Sequence, residues 1–184
     1  VLNGSNYTFD REKMRKNVRE LIEDLKKKQT ENNTKYTDKT PRILVTGCPI
    51  GGVAEKVIKS IEDSGAVVVA LENCQGYKEL HEEVDETIDP IEAIAKKYLN
   101  IPCSVMTPNN KRKELLKDMV DEYKVDGVID VVLQACHTYS IESYSIKRFL
   151  TKERDTAYMA LETDYSTGDT GQLKTRIEAF IEML

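Results

Sequence analysis

The chemistry this chain is best equipped for rests on four cysteines, Cys48, Cys74, Cys103 and Cys136. Three sit just after short apolar runs that read as β-strands. Their loops are Thr46-Gly47-Cys48-Pro49-Ile50-Gly51-Gly52, Glu72-Asn73-Cys74-Gln75-Gly76-Tyr77 and Gln134-Ala135-Cys136-His137-Thr138-Tyr139. Cys103 follows Pro102, which ends a helical stretch, and lies in another loop. Idle thiols should scatter through strand interiors and helix faces, because free Cys behaves as a small core hydrophobe. Thiols gathered at one sheet edge point to soft-metal ligation, since thiolates favour iron–sulfur clusters or zinc. Helices expected after Cys48 and Cys136 would bring N-terminal amides near sulfur and favour the ligand anion. The spacing is not a Cys-x-x-Cys array, so the residues alone leave buried, inert thiols open as a second reading.

Other chemistries fit less well. The Gly47 to Gly52 loop resembles a phosphate cradle but lacks the Lys-Ser/Thr pair and the dinucleotide glycine spacing. A nucleophilic pair at Cys136 and His137 has no evident third member, and adjacent loop residues rarely face one another. His137 reads more simply as a helix-start side chain, or as a donor to cluster sulfur or substrate. His81 lies in a charged stretch with Glu82, Glu83 and Asp85 and reads as idle. Glu162 and Asp164 follow the last strand. They are loop carboxylates, helix caps or ligand contacts.

The elements that must position these residues show as periodicity. Asp10 to about Lys28 reads as one helix, with Met14, Val18, Leu21, Ile22 and Leu25 at helical spacing and Thr8 or Asp10 as its cap. The polar stretch Gln29 to Thr40 reads as a linker. Residues 1–40 are thus expected to be an appendage and 41–184 the main domain. Strands are expected at Arg42–Thr46, Ala66–Leu71, Gly127–Leu133 and Ala157–Glu162, the second buried on both faces, with Ile101–Val105 as a short fifth. Helices are expected at Val53–Asp63, where Val53, Val57, Ile58 and Ile61 share a face and Gly65 caps the end, and from Asp89-Pro90, with Ile91, Ile94, Ala95, Tyr98 and Leu99. Further helices follow Asn109 or Asn110, run from Tyr139 to Lys152 on Ile141, Tyr144, Ile146 and Phe149, and span Gly171 to Leu184. Strand–helix alternation implies right-handed crossovers, hence a three-layer flavodoxin- or Rossmann-like α/β domain with a parallel sheet. In such sheets ligands bind beyond the carboxyl ends of the strands, where the cysteine loops lie.

Composition sets outer limits. Of 184 residues, 40% are apolar and 32% charged, enough for a real core. A net charge of −5 gives no footprint for nucleic acid, and no apolar run suits a membrane span. Without a secretory pattern, reduced thiols in a cytoplasmic setting are expected. The start at Val1-Leu2-Asn3-Gly4 has no initiator Met, which suggests a piece of a longer chain.

At these same loops the sequence resembles the activator-dependent 2-hydroxyacyl-CoA dehydratases, whose relatives include the double-cubane iron–sulfur reductases. The matching stretches are VTGCPIGGVAEKV, ENCQGYK, IPCSVMTPN, VDGVIDVVLQACHTYSIES and ETDYSTGDTGQLKTRIEAFIEML, covering nearly everything from Arg42 onward. The last of these fits the dehydratase subunits best.

The resemblance implies two similar α/β domains with an oxygen-sensitive [4Fe-4S] cluster held by cysteines near their junction. The present chain would be the second, C-terminal domain, with an N-terminal domain of the same chain supplying further ligands. It implies a heterodimer with a second dehydratase subunit, and a separate ATP-hydrolysing iron–sulfur activator that injects one electron. Water is then eliminated from an (R)-2-hydroxyacyl-CoA through a ketyl radical to give the 2-enoyl-CoA, a lyase reaction of anaerobic amino-acid fermentation. This half alone would be inactive, with its cluster absent or incomplete. On this resemblance Cys136 is the first ligand candidate, Cys103 and Cys74 come next and Cys48 last. His137, Glu142, Ser143, Glu162 and Asp164 are candidate substrate contacts or supports. Two further readings stay open: a double-cubane reductase, and a non-catalytic flavodoxin-like scaffold.

Overall fold

The computed structural model describes residues 9–31, 36–49, 51–74 and 76–184. Thr8, residues 32–35 of the polar linker, Ile50, Gln75 and the Val53 side chain lie outside the described residues. The chain divides into two compact units, Val1–Lys39 and Thr40–Leu184. The first contains helix α1, Arg11–Thr30, whose N-cap Asp10 accepts from the Lys13 N–H at 3.0 Å. This bond satisfies one of the free amides of the first turn.

The second unit is a parallel α/β sandwich. Its strands are β1 Arg42–Gly47, β2 Val67–Glu72, β3 Gly127–Leu133 and β4 Ala157–Thr163, in the order β2-β1-β3-β4. The helices are α2 Val53–Asp63, the single turn α3 Tyr77–Leu80, α4 Pro90–Asn100, α5 Asn110–Glu122, α6 His137–Arg148 and α7 Thr170–Ile181. Strand side chains alternate between two cores. On one face Ile43, Val45, Ile129, Val131 and Leu161 pack with Val57 and Ile61 of α2 and Leu173, Ile177 and Phe180 of α7. On the other, Leu44 and Val128 pack with Leu115, Leu116, Met119 and Val120 of α5 and Ile146 of α6. The three layers expected from the strand–helix alternation are therefore present.

Three local expectations are corrected. The Ile101–Val105 segment is no fifth strand: Cys103 N–H bonds back to Ile101 O at 2.8 Å and Met106 N–H to Cys103 O at 2.9 Å. These turns consume backbone groups a ladder would need, and Pro102 has no N–H to offer. β2 is an edge strand and mostly half-buried, not covered on both faces. The inward faces of two helices differ from those expected. In α4 only Ala93 is buried, while Ile91, Ile94, Tyr98 and Leu99 are exposed. In α6 Tyr139 and Ile146 face the core, and Ile141 and Tyr144 face out.

Gly47 ends β1 with φ +111°, and a Cβ there would lie 2.1 Å from Val131 O. Only glycine permits this close passage, which lets Cys48 N–H bond Val131 O at 2.8 Å. Gly65, at φ +91°, follows the end of α2 as a C-terminal cap residue should.

Candidate metal centre

The strands end at a rim where the cysteine loops emerge. Cys48 does not open onto it: the side chain is buried, and its Sγ accepts from the Leu133 N–H at 3.4 Å. Burial pushes this thiol up to about 11, against the Leu133 hydrogen bond and with the Cys136 thiol adding to the rise. Cys74 is exposed, and Cys103 and Cys136 are half-buried. Cys136 occupies the N-cap position of α6, straight after Ala135, whose φ of +65° turns the chain sharply out of β3. Its own N–H bonds Leu133 O at 2.9 Å, and its side chain packs against the core cluster that includes Cys48.

A row of polar residues crosses the sheet just inside this rim. Thr46 of β1 pairs in register with Glu72 of β2 and with Asp130 of β3, and all three side chains are buried. They lie on the face covered by α5 and α6, one step beyond the apolar row Ala70, Leu44 and Val128. Burying such groups is tolerable only with partners. Lys78 of α3 and Arg112 of α5, both fully buried, supply them.

Lys78 Nζ sits 2.9 Å from Glu72 Oε1, a fully buried ion pair. Arg112 Nε is 3.3 Å from Glu72 Oε2, and its Nη2 donates to Thr46 Oγ1 at 2.8 Å. Arg112 Nη1 donates to Glu142 of α6, and the Thr46 hydroxyl to Glu72. Glu142 also accepts from the Asn109 side-chain amide; Asn109, the N-cap residue of α5, makes no side-chain cap bond. Tyr139, in the first turn of α6, completes the cluster. The Arg112 guanidinium lies 5.0 Å and the Lys78 ammonium 5.7 Å from its ring centre, and Lys78 Nζ donates to its hydroxyl at 3.5 Å.

The charges are tuned accordingly. Burial is the largest influence on Lys78 and Arg112 and opposes their ionisation, but Glu72 together with Tyr139, and for Arg112 also Asp130 and Glu142, outweighs it, so each stays above its ordinary range. Asp130 is raised, chiefly by burial, although Arg112 and the Tyr158 hydroxyl, which donates to it at 2.8 Å, pull the other way. Asp130 Oδ1 has no hydrogen-bond partner. Burial, then Asp130, pushes Tyr158 up.

The remaining sequence candidates are spread out. His137 opens α6 and is exposed; Ser143 offers its backbone oxygen to Tyr158 at 3.2 Å. Glu162 is exposed on β4. Asp164 accepts from Ser166 N–H and Oγ and is lowered by those bonds. Nearby, Lys56 of α2 reaches Asp164 O, Ser166 O and Asp169, tying α2 to the loop after β4. Glu72, Lys78, Arg112, Asp130 and Tyr139 were not among the sequence candidates. Asp130 carries a signal, a carboxylate inside the apolar run GVIDVVL, but Arg112 looks like any other charge in a helix.

Among the described residues no three His, Cys, Asp or Glu side chains converge as a metal site.

A parallel sheet between two helical layers, with a buried charge network at its carboxyl rim, defines a three-layer α/β domain. The comparisons place it more closely: over residues 1–184 the chain belongs to the family described as 2-hydroxyglutaryl-CoA dehydratase, D-component. It is 49% identical, over its whole length, to 48% of "Putative dehydratase subunit YjiM" of Escherichia coli (strain K12). It is 24% identical, over 98% of its length, to 46% of the (R)-phenyllactyl-CoA dehydratase beta subunit of Clostridium sporogenes. The chain thus spans about half the length of these curated relatives. No described helix is long and apolar enough to cross a membrane.

Proposed function

We propose that this chain is the cluster-side half of a 2-hydroxyacyl-CoA dehydratase subunit, and that Cys136 gives one thiolate to a [4Fe-4S] cluster completed by the other half. Membership of the dehydratase family along all 184 residues carries the reading. The position of Cys136 supports it: half-buried, at a strand exit, on the N-terminus of α6. A cluster held there would supply the single electron that a ketyl-radical elimination of water requires.

The chain's own residues orient and enclose. Beside the Cys103 loop lies a cavity of about 480 Å³, lined among others by Ser104, Asn109, Lys113, Thr138, Ile141 and Glu142. Its size suits a small acyl group, and its mixed lining suits a thioester with a polar substituent. Lys78 and Arg112 pair with Glu72, and Arg112 also with Glu142, fixing the sheet edge beside α6. The substrate is an (R)-2-hydroxyacyl-CoA, the partners are a second dehydratase subunit and an ATP-dependent activator, and the setting is cytoplasmic and anaerobic.

The test is iron and acid-labile sulfide content of the full-length protein reconstituted without oxygen. Wild type should bind a [4Fe-4S] cluster and Cys136→Ser should lose most of its iron. Equal iron in both removes Cys136 as a ligand; no iron in wild type removes the cluster.

A further inference from the structure

We infer that Arg112 is the positioning residue of this rim: one buried guanidinium holds the cysteine loops in the mutual geometry that presents their thiols together. The inference rests on the cluster reading above and adds a residue that touches neither cysteine nor substrate. Each Arg112 contact leads to a different loop. Glu72, 3.3 Å away, precedes Cys74 by two residues. Thr46, 2.8 Å away, precedes Cys48 by two. Glu142 and the Tyr139 ring belong to the helix that starts after Cys136. A single side chain from α5 therefore joins the ends of β1 and β2 and the start of α6.

Chemistry singles out arginine for this task. Its planar fork fixes the direction of several donors at once and lays a cationic face on an aromatic ring. A lysine there would keep the charge and lose the fork, so Glu72, Thr46 and Glu142 would no longer share one rigid partner. Thiolates from separate loops must meet a cluster within about half an ångström, a tolerance that depends on such supports. A purely structural network would lower stability when cut and leave relative thiol geometry alone.

The experiment compares Arg112→Lys with Leu116→Ala in the full-length protein. Leu116 is buried in the same helix but belongs to the apolar core beneath the network. Three readouts are taken without oxygen: thermal unfolding, iron and sulfide per chain with the cluster's midpoint potential, and alkylation rates of Cys74, Cys103 and Cys136 in cluster-free protein. Arg112→Lys should lose at least about five-fold in cluster content or shift its potential, and change the ratio of the three alkylation rates several-fold. Leu116→Ala should unfold earlier with cluster content and rate ratios as in wild type. Wild-type content, potential and rate ratios in Arg112→Lys overturn the inference, as does an equal loss in Leu116→Ala. If Arg112→Lys does not fold, Glu142→Gln replaces it, with a two- to three-fold effect expected and none overturning the proposal. Wild type without iron would sink the cluster reading alone; the alkylation ratios still decide the role of Arg112.

Discussion

Replacing Glu72 by Gln should destabilise the Thr40–Leu184 unit more than almost any other single change of equal size. The carboxylate is fully buried between two fully buried cations, and Glu72 is the one ion-pair partner of Lys78 among the described residues. Removing one member of such a pair costs about 3–5 kcal/mol, because the other is left charged and out of water. Arg112 keeps Glu142, whereas Lys78 keeps no anion, so a value near about 4–5 kcal/mol is expected. In a chain of this size that lowers the unfolding midpoint by roughly 8–20 °C. Urea titrations followed by circular dichroism would measure it directly. Glu72→Leu combined with Lys78→Met should recover most of the loss, since an apolar pair of similar volume carries no desolvation cost. A loss below about 1 kcal/mol for Glu72→Gln would show that water reaches the network, and the account of the rim would fail with it.

Further outcomes follow from the same coordinates. Asp130 has a raised folded-state value, so its proton is held more tightly in the folded chain and its ionisation weakens the fold as pH climbs above the ordinary carboxylate range. Asp130→Asn should flatten that decline, gaining relative to wild type near pH 7.5 compared with pH 4.5 in urea titrations; an unchanged slope would refute it. Thiol labelling of folded protein should modify Cys74 first and Cys48 last, because Cys74 is exposed and Cys48 is buried with a value near 11; early labelling of Cys48 would contradict its placement. Leu116→Ala should cost about 2–5 kcal/mol, and Ile94→Ala, at an exposed site, less than about 0.5 kcal/mol. Chemical denaturation distinguishes the two, and similar losses would mean that α4 is turned the other way.

The sheet was readable because β1, β3 and β4 are short apolar runs closed by loop residues, and each is followed by a helix of matching period. The faces of α4 and α6 were not. Ile91, Ile94, Tyr98 and Ile141 recur at helical spacing, but periodicity reports an apolar stripe without saying whether this unit covers it. The rim was legible as a set of loops with cysteines, because strand ends locate ligand sites in parallel sheets. Its supporting network was hidden for a different reason. Arg112, Lys78 and Glu72 look solvated in a charged chain, and only three-dimensional juxtaposition turns them into a buried cluster.

The strand order also bears on how the chain reaches its folded form. β1 lies between β2 and β3, yet Arg42 meets Asp126 across a separation of 84 residues. The β1–α2–β2 crossover closes a short stretch, whereas the β1–β3 seam must wait for a long intervening segment to be gathered in. Assembly should accordingly start from the Arg42–Glu72 region and add β3 and β4 later. Until then one long side of β1 stands open to neighbouring chains, which makes crowded refolding prone to aggregation.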